Sequence, residues 1–305
     1  MNDIYGNFSH RLRTSVKWSV FFMLLSGGAH AVAGESCREA FDNENYQQAE
    51  SVCLAAAEAG DPEAQYLVAK GYFTGFFGGE DLDKAIAYAR ACQQTRPGDC
   101  LNVLGLAFRD KAIPASLRRR TDFGRSDVDI EMFRGFVRMQ TNADLLVQAN
   151  DALSKAASHG SPKAMYNIGD QYLSGAWYDF EADPKKAMDW GRRASAAGFV
   201  LGDVLQARAI IFDQLSDNYP DLSGLLVPAV SEVPEASFLL ARVYERGLAV
   251  PKDKIRAYAW MTLALVRGYQ HAAHSLRVAD QHLSLSEMEK GKALAGDYFE
   301  RYVKN

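Results

Sequence analysis

The chain has 305 residues, of which 48% are hydrophobic and 24% are charged, and its formal net charge at pH 7 is −4. This composition indicates a folded chain and excludes a disordered one, and the acidic balance does not favour nucleic acid as a partner. The length suits one extended repeat array or two small globular units.

The N-terminus has the pattern of an export signal. Basic residues 10–17 precede the apolar run Trp18–Leu25, and the small residues Ala31 and Ala33 follow it. This order predicts a signal peptide over residues 1–33 and a periplasmic or secreted bacterial protein. The alternative is an uncleaved membrane anchor, although the run is short for a spanning helix. Cleavage leaves 31 Lys and Arg against 37 Asp and Glu, a net charge of −6, and no further stretch apolar for long enough to span a bilayer.

A helical hairpin pattern recurs after this segment. In its clearest copy, Ala164–Gly198, each helix places small and apolar residues on one face and ends at a glycine. The first half recurs from Ala64, Cys100 and Ala236, and the second half recurs from Ala49, Ala85, Ala149 and Ala257. The 36 residues from Ala64 to Cys100 are a period typical of helical-hairpin arrays, so we predict an all-α fold. Asp61-Pro62 and Ser161-Pro162 predict two helix starts.

Two segments depart from the repeat pattern. Phe76 and Phe77 lie between glycines in an aromatic loop, and they are candidate partner contacts unless they cover the end of the adjacent helix. The third unit contains an insertion at about residues 109–142, with eight basic and five acidic side chains. Such insertions are often the variable binding element, so we expect this one to dock an anionic surface or glycan, or else to be an extra helix with solvated arginines. Its candidate contact residues are Arg118, Arg119, Arg120, Arg134 and Arg138.

The fifth and last units also depart from the pattern. Prolines at 220, 228 and 234 predict a short or bent second helix in the fifth unit. Residues 268–283 and 284–305 are predicted as two further helices, and Ser284 or Ser286 is the expected cap of the second. We therefore expect a repeat array over residues 34–270 and C-terminal capping helices over residues 271–305.

These residues resemble the Sel-one-like repeat (SLR) family, which is related to the tetratricopeptide repeats. The strongest match is Ala236–Trp260, with its Gly-x-x-Val-Pro-x-Asp loop. The resemblance implies a right-handed α-α superhelix, a solenoid of about five to six helical hairpins, whose usual role is protein–protein adaptation. Cysteine spacing resembles the secreted, cysteine-rich bacterial branch, which implies one bridge between Cys92 and Cys100 and another between Cys37 and Cys53. Four buried free thiols are the alternative.

No sequence motif supports a catalytic, metal or cofactor site. The mature chain has no Ser-x-x-Lys, Gly-x-Ser-x-Gly or His-Glu-x-x-His motif. His271 and His274 share a helix face but have no convincing carboxylate beside them, so a metal is not expected. The sequence therefore favours a periplasmic scaffold, an adaptor or regulator that binds another envelope protein. The alternative function is weak hydrolysis of β-lactam or cell-wall-like substrates, an activity assigned to some cysteine-rich relatives.

Overall fold

The computed structural model describes residues 36–114, 140–174, 182–212 and 222–304. Every regular element within these ranges is helical, which confirms the all-α prediction. In chain order the helices are α1 (residues 36–42), α2 (Tyr46–Glu58), α3 (Pro62–Thr74), α4 (Leu82–Cys92), α5 (Pro97–Ala112), α6 (Ala143–Ser158), α7 (Pro162–Ser174), α8 (Pro184–Ala196), α9 (Leu201–Phe212), α10 (Leu222–Leu226), α11 (Pro234–Arg246), α12 (Lys254–Val266), α13 (Ala272–Asp280) and α14 (Leu285–Tyr302).

The chain forms two compact units, Met1–Ala164 and Met165–Asn305. In the first unit each helix packs on the next, from α2 on α3 to α5 on α6. In the second unit α8 packs on α9, α11 packs on α12, and α12 also contacts α13 and α14. This succession of neighbouring hairpins is the helical-hairpin solenoid class that the repeat spacing predicts.

The predicted helix starts are confirmed in atomic detail. The Asp61 carboxylate accepts a hydrogen bond of 2.8 Å from the amide of Ala64, and Pro62 occupies the first turn of α3. One hundred residues later the Ser161 hydroxyl accepts from the amide of Ala164 at 3.4 Å. Both caps satisfy an amide that the helix itself leaves unpaired, so these residues fix where α3 and α7 begin.

Small residues set the distance between the helices of a hairpin. A Cβ atom at Gly105 of α5 would lie 2.7 Å from Cγ of Leu153 and 3.0 Å from the carbonyl oxygen of Ala149, both on α6. Neither group can withdraw without moving α6, because one is a buried branched side chain and the other is backbone. The hairpin of α5 and α6 therefore requires glycine at this position.

We expect Gly105→Ala to lower the free energy of unfolding by about 1–3 kcal/mol, since the extra methyl group overpacks the hairpin. Gly296→Ala in α14 is the matched control, because nothing lies within 4 Å of a Cβ atom there. The control should be neutral or stabilise by up to about 1 kcal/mol through helix propensity. Urea unfolding followed by circular dichroism measures both, and equal midpoints for the two variants would contradict the close-approach argument.

The apolar core of the second unit includes the irregular fifth repeat and the C-terminal helices. The predicted short second helix of the fifth unit is confirmed: α10 has five residues, and a 3₁₀ turn at Val227–Ala229 follows it. Leu222 and Leu226 are nevertheless fully buried with α9 and α11 residues. Trp260 of α12 stacks on Tyr298 of α14, with their ring centroids 4.1 Å apart. The last helices therefore close the apolar core of this unit.

The C-terminal helices differ from the prediction in their bounds. The predicted helix over residues 268–283 is only α13, Ala272–Asp280, because Gly268 has a positive φ and residues 269–271 form a turn. Ser284, and not Ser286, caps α14. Its hydroxyl accepts from the amide of Glu287, and the Glu287 carboxylate accepts from the amide of Ser284, which is a complete capping box.

Candidate functional site

The loop between α3 and α4 is held by three residues. The amide of Asp81 donates to the carbonyl oxygen of Tyr72 at 3.0 Å, and the Asp81 carboxylate accepts from the amide of Lys84 at 3.0 Å. The Lys84 ammonium lies 4.5 Å from the centroid of the Tyr72 ring. One aspartate thus closes the loop and caps the next helix, while the lysine covers the tyrosine by a cation–π contact.

The same arrangement occurs twice more. The aspartate amide bonds to the tyrosine carbonyl at 2.9 Å and 3.0 Å, and the cation lies 5.2 Å and 5.5 Å from the tyrosine ring centroid. The residues are Tyr172, Asp183 and Lys186 in one copy and Tyr244, Asp253 and Arg256 in the other. Three hairpins therefore share one loop closure at atomic detail.

A charged cluster lies on α1, α3 and the start of α5 in the first unit. Glu63 pairs with both Arg38 and Arg96. Arg96 also pairs with Asp99 at 2.8 Å, and its guanidinium carbon lies 5.4 Å from the centroid of the Tyr66 ring. The carboxylates of Glu63 and Asp99 are therefore already engaged by arginine.

Lys70 stands apart from this pairing, although it lies seven residues after Glu63 on the same helix. Its ammonium is 5.0 Å from the centroid of the Phe41 ring, and no carboxylate of the described residues lies within 4.0 Å of it. Burial lowers the pKa of Lys70, and among charged neighbours Lys163 contributes most to lowering it further. Lys70 is thus a partly buried cation in contact with an aromatic ring, and Asp42 and Asp99 oppose the lowering of its pKa.

A cavity of about 450 Å³ shares Arg96 and Asp99 with the charged cluster. It lies between the turn that precedes α5 and the turn that precedes α7. Its lining residues are Arg96, Pro97, Gly98, Asp99, His159, Gly160, Ser161, Pro162 and Lys163. The lining places Arg96, Lys163 and His159 beside Asp99, and Arg96 is already paired with Glu63 and Asp99.

The second unit contains a buried ion cluster in which two carboxylates surround one cation. Arg208 of α9 donates to Asp170 of α7 at 2.8 Å, and its Nε lies 3.6 Å from a Glu235 oxygen of α11. The side chains of Arg208, Asp170 and Glu235 are only 15%, 22% and 12% exposed. Burial raises the pKa of Glu235, and burial together with Glu235 raises the pKa of Tyr269. Three helices of the second unit are thus joined by one guanidinium.

A model of the Sel1 repeat family matches residues 62–91, 162–199 and 234–266. Each matched segment contains one of the three Tyr-Asp-cation loops. The chain carries Sel1 repeats. The matches together cover about a third of the sequence. The α5–α6 hairpin and α9–α10 continue the helical array between the matched segments.

Two of the solved structures that are similar to the chain show the extent of the likeness. A Sel1 repeat protein from Oxalobacter formigenes has a TM-score of 0.56 at 14% identity, and the alignment covers 87% of this chain and 99% of that one. A protective antigen present in uropathogenic Escherichia coli strains, which displays an SLR fold, has a TM-score of 0.45 at 16% identity. That alignment covers 92% of this chain but only 55% of the antigen's length. The first likeness supports the fold alone, and no curated protein matches the sequence.

The structure pairs the four cysteines as the family resemblance implies. Cys37 joins Cys53 and Cys92 joins Cys100, with Cα atoms 4.8 Å and 6.0 Å apart. All four sulfur-bearing side chains are buried, and none is a free thiol. The first bridge fastens α1 to α2, and the second fastens the end of α4 to the start of α5.

The two phenylalanines of the aromatic loop have different surroundings. Phe77 is 6% exposed, lies over Gly71, and contacts the ring of Tyr72 edge-on at 5.5 Å. Phe77 therefore packs against the adjacent helix, which was the alternative to a partner contact, and its ring is not available at the surface. Phe76 is half-buried and stacks on Tyr46, with ring centroids 4.3 Å apart.

The two described ends of the basic insertion are joined in the first unit. The amide of Asn142 donates to the carbonyl oxygen of Ala112 at 2.9 Å, and α5 and α6 pack directly on each other. Helix α5 continues to Ala112, so the regular hairpin extends three residues beyond the predicted start of the insertion. The candidate arginines at 118, 119, 120, 134 and 138 lie outside the described residues, as does the predicted signal peptide.

The described residues contain no group of three or more His, Cys, Asp or Glu that could hold a metal ion. Within the same ranges no helix is both long enough and apolar enough to cross a membrane. Sel1 repeat proteins generally act as scaffolds, which agrees with the prediction of a non-enzyme.

The apolar repeat spacing does not point to the buried cluster of Arg208, Asp170 and Glu235. The sequence signal for two of its members is instead a position that recurs from repeat to repeat. Lys70, Asp170 and Arg208 each lie ten residues after the glycine that ends the preceding helix. An ionic side chain at this position in three units indicates a charged face on the first helix of each hairpin.

Proposed function

We propose that the chain is an exported adaptor or regulator that binds another protein of the bacterial cell envelope. The three Sel1 repeats carry this proposal, because Sel1 repeat proteins generally mediate protein–protein interaction. The two disulfides support an extracytoplasmic location, since such bonds persist in oxidising compartments. The signal-peptide pattern over residues 1–33 supports the same location.

The basic insertion is proposed as a contact for an anionic surface of the partner or for an anionic glycan. Its two ends meet at the Asn142–Ala112 hydrogen bond, so the inserted segment leaves the α5–α6 hairpin and returns to the same point. The segment carries an excess of three positive charges on an acidic chain. Such a charge contrast speeds encounter with an acidic partner surface and directs it to one part of the molecule.

Replacing residues 115–139 by a short Gly-Ser linker should abolish capture of the envelope partner and leave the fold intact. The fold is expected to persist because the α5–α6 contacts and the closing hydrogen bond lie outside the deleted range. The measurement is crosslinked pull-down from the envelope fraction, compared with the unmodified chain.

Export has a separate measurement. Mass spectrometry of the unmodified chain recovered from the envelope should show an N-terminus at Gly34, because cleavage is expected after Ala33.

A second variant separates charge from chain length. It keeps the insertion but changes its five candidate arginines, at 118, 119, 120, 134 and 138, to glutamine. The matched control changes exposed Lys292 and Arg301 of α14 to glutamine. Loss of capture in the first variant but not in the control supports the role of the insertion. Undiminished capture after the deletion would refute that role, and absence of any specific partner with the unmodified chain would refute the adaptor proposal.

A further inference from the structure

We infer that α1 is an exchangeable arm, which leaves its own chain and occupies the same position in a second copy. The product is a dimer in which Cys37 of each copy is bonded to Cys53 of the other. This dimer goes beyond the proposed adaptor role and does not depend on which envelope partner is bound. The occupant of the vacated surface is a second copy of α1, because that surface is already formed to receive α1.

The aromatic contacts of α1 all lie in the first unit. Phe41 is 4% exposed, and its ring lies among those of Tyr46, Phe76 and Phe77, with centroids 5.6 Å, 6.2 Å and 6.0 Å away. The Lys70 ammonium is 5.0 Å from the centroid of the same ring. These neighbours belong to α2, α3 and the loop that follows α3. A second copy of the chain presents the same set.

Two further contacts fix which segment fits this surface. Arg38 of α1 pairs with Glu63 of α3, and Cys37 of α1 is bonded to Cys53 of α2. Each is a contact between side chains, so each forms equally well when α1 comes from another copy. The surface thus takes a short helix with a cysteine, a basic residue and a phenylalanine in the spacing of α1.

The turn between α1 and α2, residues 43–45, is strained. It contains neither glycine nor proline, yet Glu44 has a φ of 60°, at a position where glycine is usual. The amide of Glu44 donates to the carbonyl oxygen of Phe41, and the amide of Asn45 donates to that of Ala40. A continuous helix pairs the same two amides with the same two carbonyls, exchanged between them. Straightening therefore releases the strain and costs no backbone hydrogen bond.

The start of α2 is not fixed by a cap. Asn45 occupies the N-cap position, but its side chain caps no amide of α2 and instead donates to the Gln48 side chain at 2.8 Å. By contrast, α3, α4, α6, α8, α12 and α14 begin at a side chain that accepts from a helix amide, and α5 and α11 begin at a proline. A cap specifies where a helix begins. The first turn of α2 is thus free to continue into α1 as one helix.

Such a hinge favours exchange between copies, since a short strained connection is relieved when the arm swings out. Each copy regains the contacts of α1 from the other, and the strain at Glu44 is released in both. The exchange is reciprocal, so the dimer is closed and does not grow further.

The bond between copies needs no oxidant beyond the one that forms the bond within one chain. The Cys53 thiolate attacks a disulfide oxidant such as oxidised glutathione, and one glutathione thiolate leaves. The Cys37 thiolate of the other copy then attacks the protein sulfur of this mixed disulfide, and the second glutathione thiolate leaves. Two protein thiols are oxidised, and the oxidant is reduced to two thiols.

The test asks whether two copies that each keep one of the two cysteines become linked. Exported chains with Cys37→Ser and with Cys53→Ser, one of them isotopically labelled, are reduced, mixed and oxidised with glutathione. Neither can close the bond alone, so mass spectrometry should find Cys53 of the first linked to Cys37 of the second. A mixture of Cys92→Ser and Cys100→Ser is the matched control and should give far less dimer. Pro97 at the start of α5 prevents a continuous helix from α4, so that bridge is not exchangeable.

Substitutions at Glu44 test the hinge in a chain that keeps all four cysteines. Glu44→Gly relieves the strain of the closed arm, whereas Glu44→Ala favours the continuous helix. In a glutathione redox buffer the ratio of covalent dimer to monomer should be roughly tenfold or more higher for Glu44→Ala than for Glu44→Gly. The unmodified chain should lie nearer to Glu44→Ala, because glutamate shares the left-handed strain. Non-reducing electrophoresis at one fixed protein concentration measures the ratio.

Several outcomes would overturn the inference. Equal dimer yields in the two cysteine mixtures would show only random linkage of thiols, and bonds from Cys37 to Cys37 would show contact without exchange. Equal ratios for Glu44→Gly and Glu44→Ala would show that the turn is not a hinge, and this measurement holds even where a cysteine variant fails to fold. The assay contains no envelope partner, so its failure leaves the adaptor proposal standing.

Discussion

Arg208→Ala is expected to destabilise the second unit by about 3–5 kcal/mol at neutral pH, the range for breaking a buried ion pair from one side. The guanidinium is the only cation within ion-pair distance of Asp170 and Glu235 among the described residues. Its removal leaves two mostly buried carboxylates that repel each other. Urea unfolding at neutral pH measures the loss, which should far exceed that of an exposed pair such as Lys155 and Asp151.

The stability loss caused by Arg208→Ala should depend on pH. Burial already holds the pKa of Glu235 above its usual value, and Arg208 opposes that shift. Without the arginine the folded-state pKa rises further above the unfolded value. The folded variant then binds a proton more tightly than its unfolded chain, so its stability is retained at acidic pH and lost as pH rises through the folded pKa. The difference between the unmodified chain and the variant should therefore shrink toward acidic pH.

A neutral replacement of the whole cluster is the matched control. Arg208→Met combined with Asp170→Asn and Glu235→Gln removes all three charges together, and replacing a buried ion cluster by neutral groups is often tolerated. This triple variant should recover a large part of the stability that Arg208→Ala loses. A loss below about 1 kcal/mol for Arg208→Ala, or a loss independent of pH, would show that the cluster behaves like a solvated surface pair.

The features that could be predicted from the sequence are those decided within one or two helical turns. Asp61 and Ser161 cap the next helix three residues on, so their role is local and can be read from the residue types. The truncated helix around Pro228 also follows from a local residue type. Repetition strengthens each of these signals, because the same residue types return in the same register.

The charged clusters could not be predicted in this way, because their partners lie on separate helices. Asp170 and Arg208 are 38 residues apart, and their contact depends on how α7 and α9 pack. A charged side chain on a helix surface is usually solvated, so the residue types alone favour a surface role. Phe77 is a related case, since an aromatic ring between glycines leaves a surface contact and a packing role both open, and its ring fills the space that Gly71 leaves. Packing between neighbouring elements decides both cases.

Reduction of the two disulfides is expected to lower the free energy of unfolding by about 3 kcal/mol for each bond, on the chain-entropy relation for loops of this length. The bonds close separate loops, with sequence separations of 16 for Cys37 and Cys53 and of 8 for Cys92 and Cys100, so the two losses should add. The loss of structure should be largest at α1, residues 36–42. The first bridge holds this helix, with its buried Phe41, to α2. Urea unfolding with and without reductant measures the sum.

The four-alanine variant at positions 37, 53, 92 and 100 separates the effect of the bonds from that of the reductant. It should unfold at the midpoint of the reduced chain and should not respond to reductant, whereas each two-alanine variant should lose about half of the difference. Such a loss is a large part of the total stability of a domain, which is about 5–15 kcal/mol. A loss of this size would mean that the chain folds fully only where the bonds persist, which would link its stability to the proposed extracytoplasmic location. An unchanged midpoint, with reduction of all four thiols proven by mass spectrometry, would contradict both the stability argument and that link.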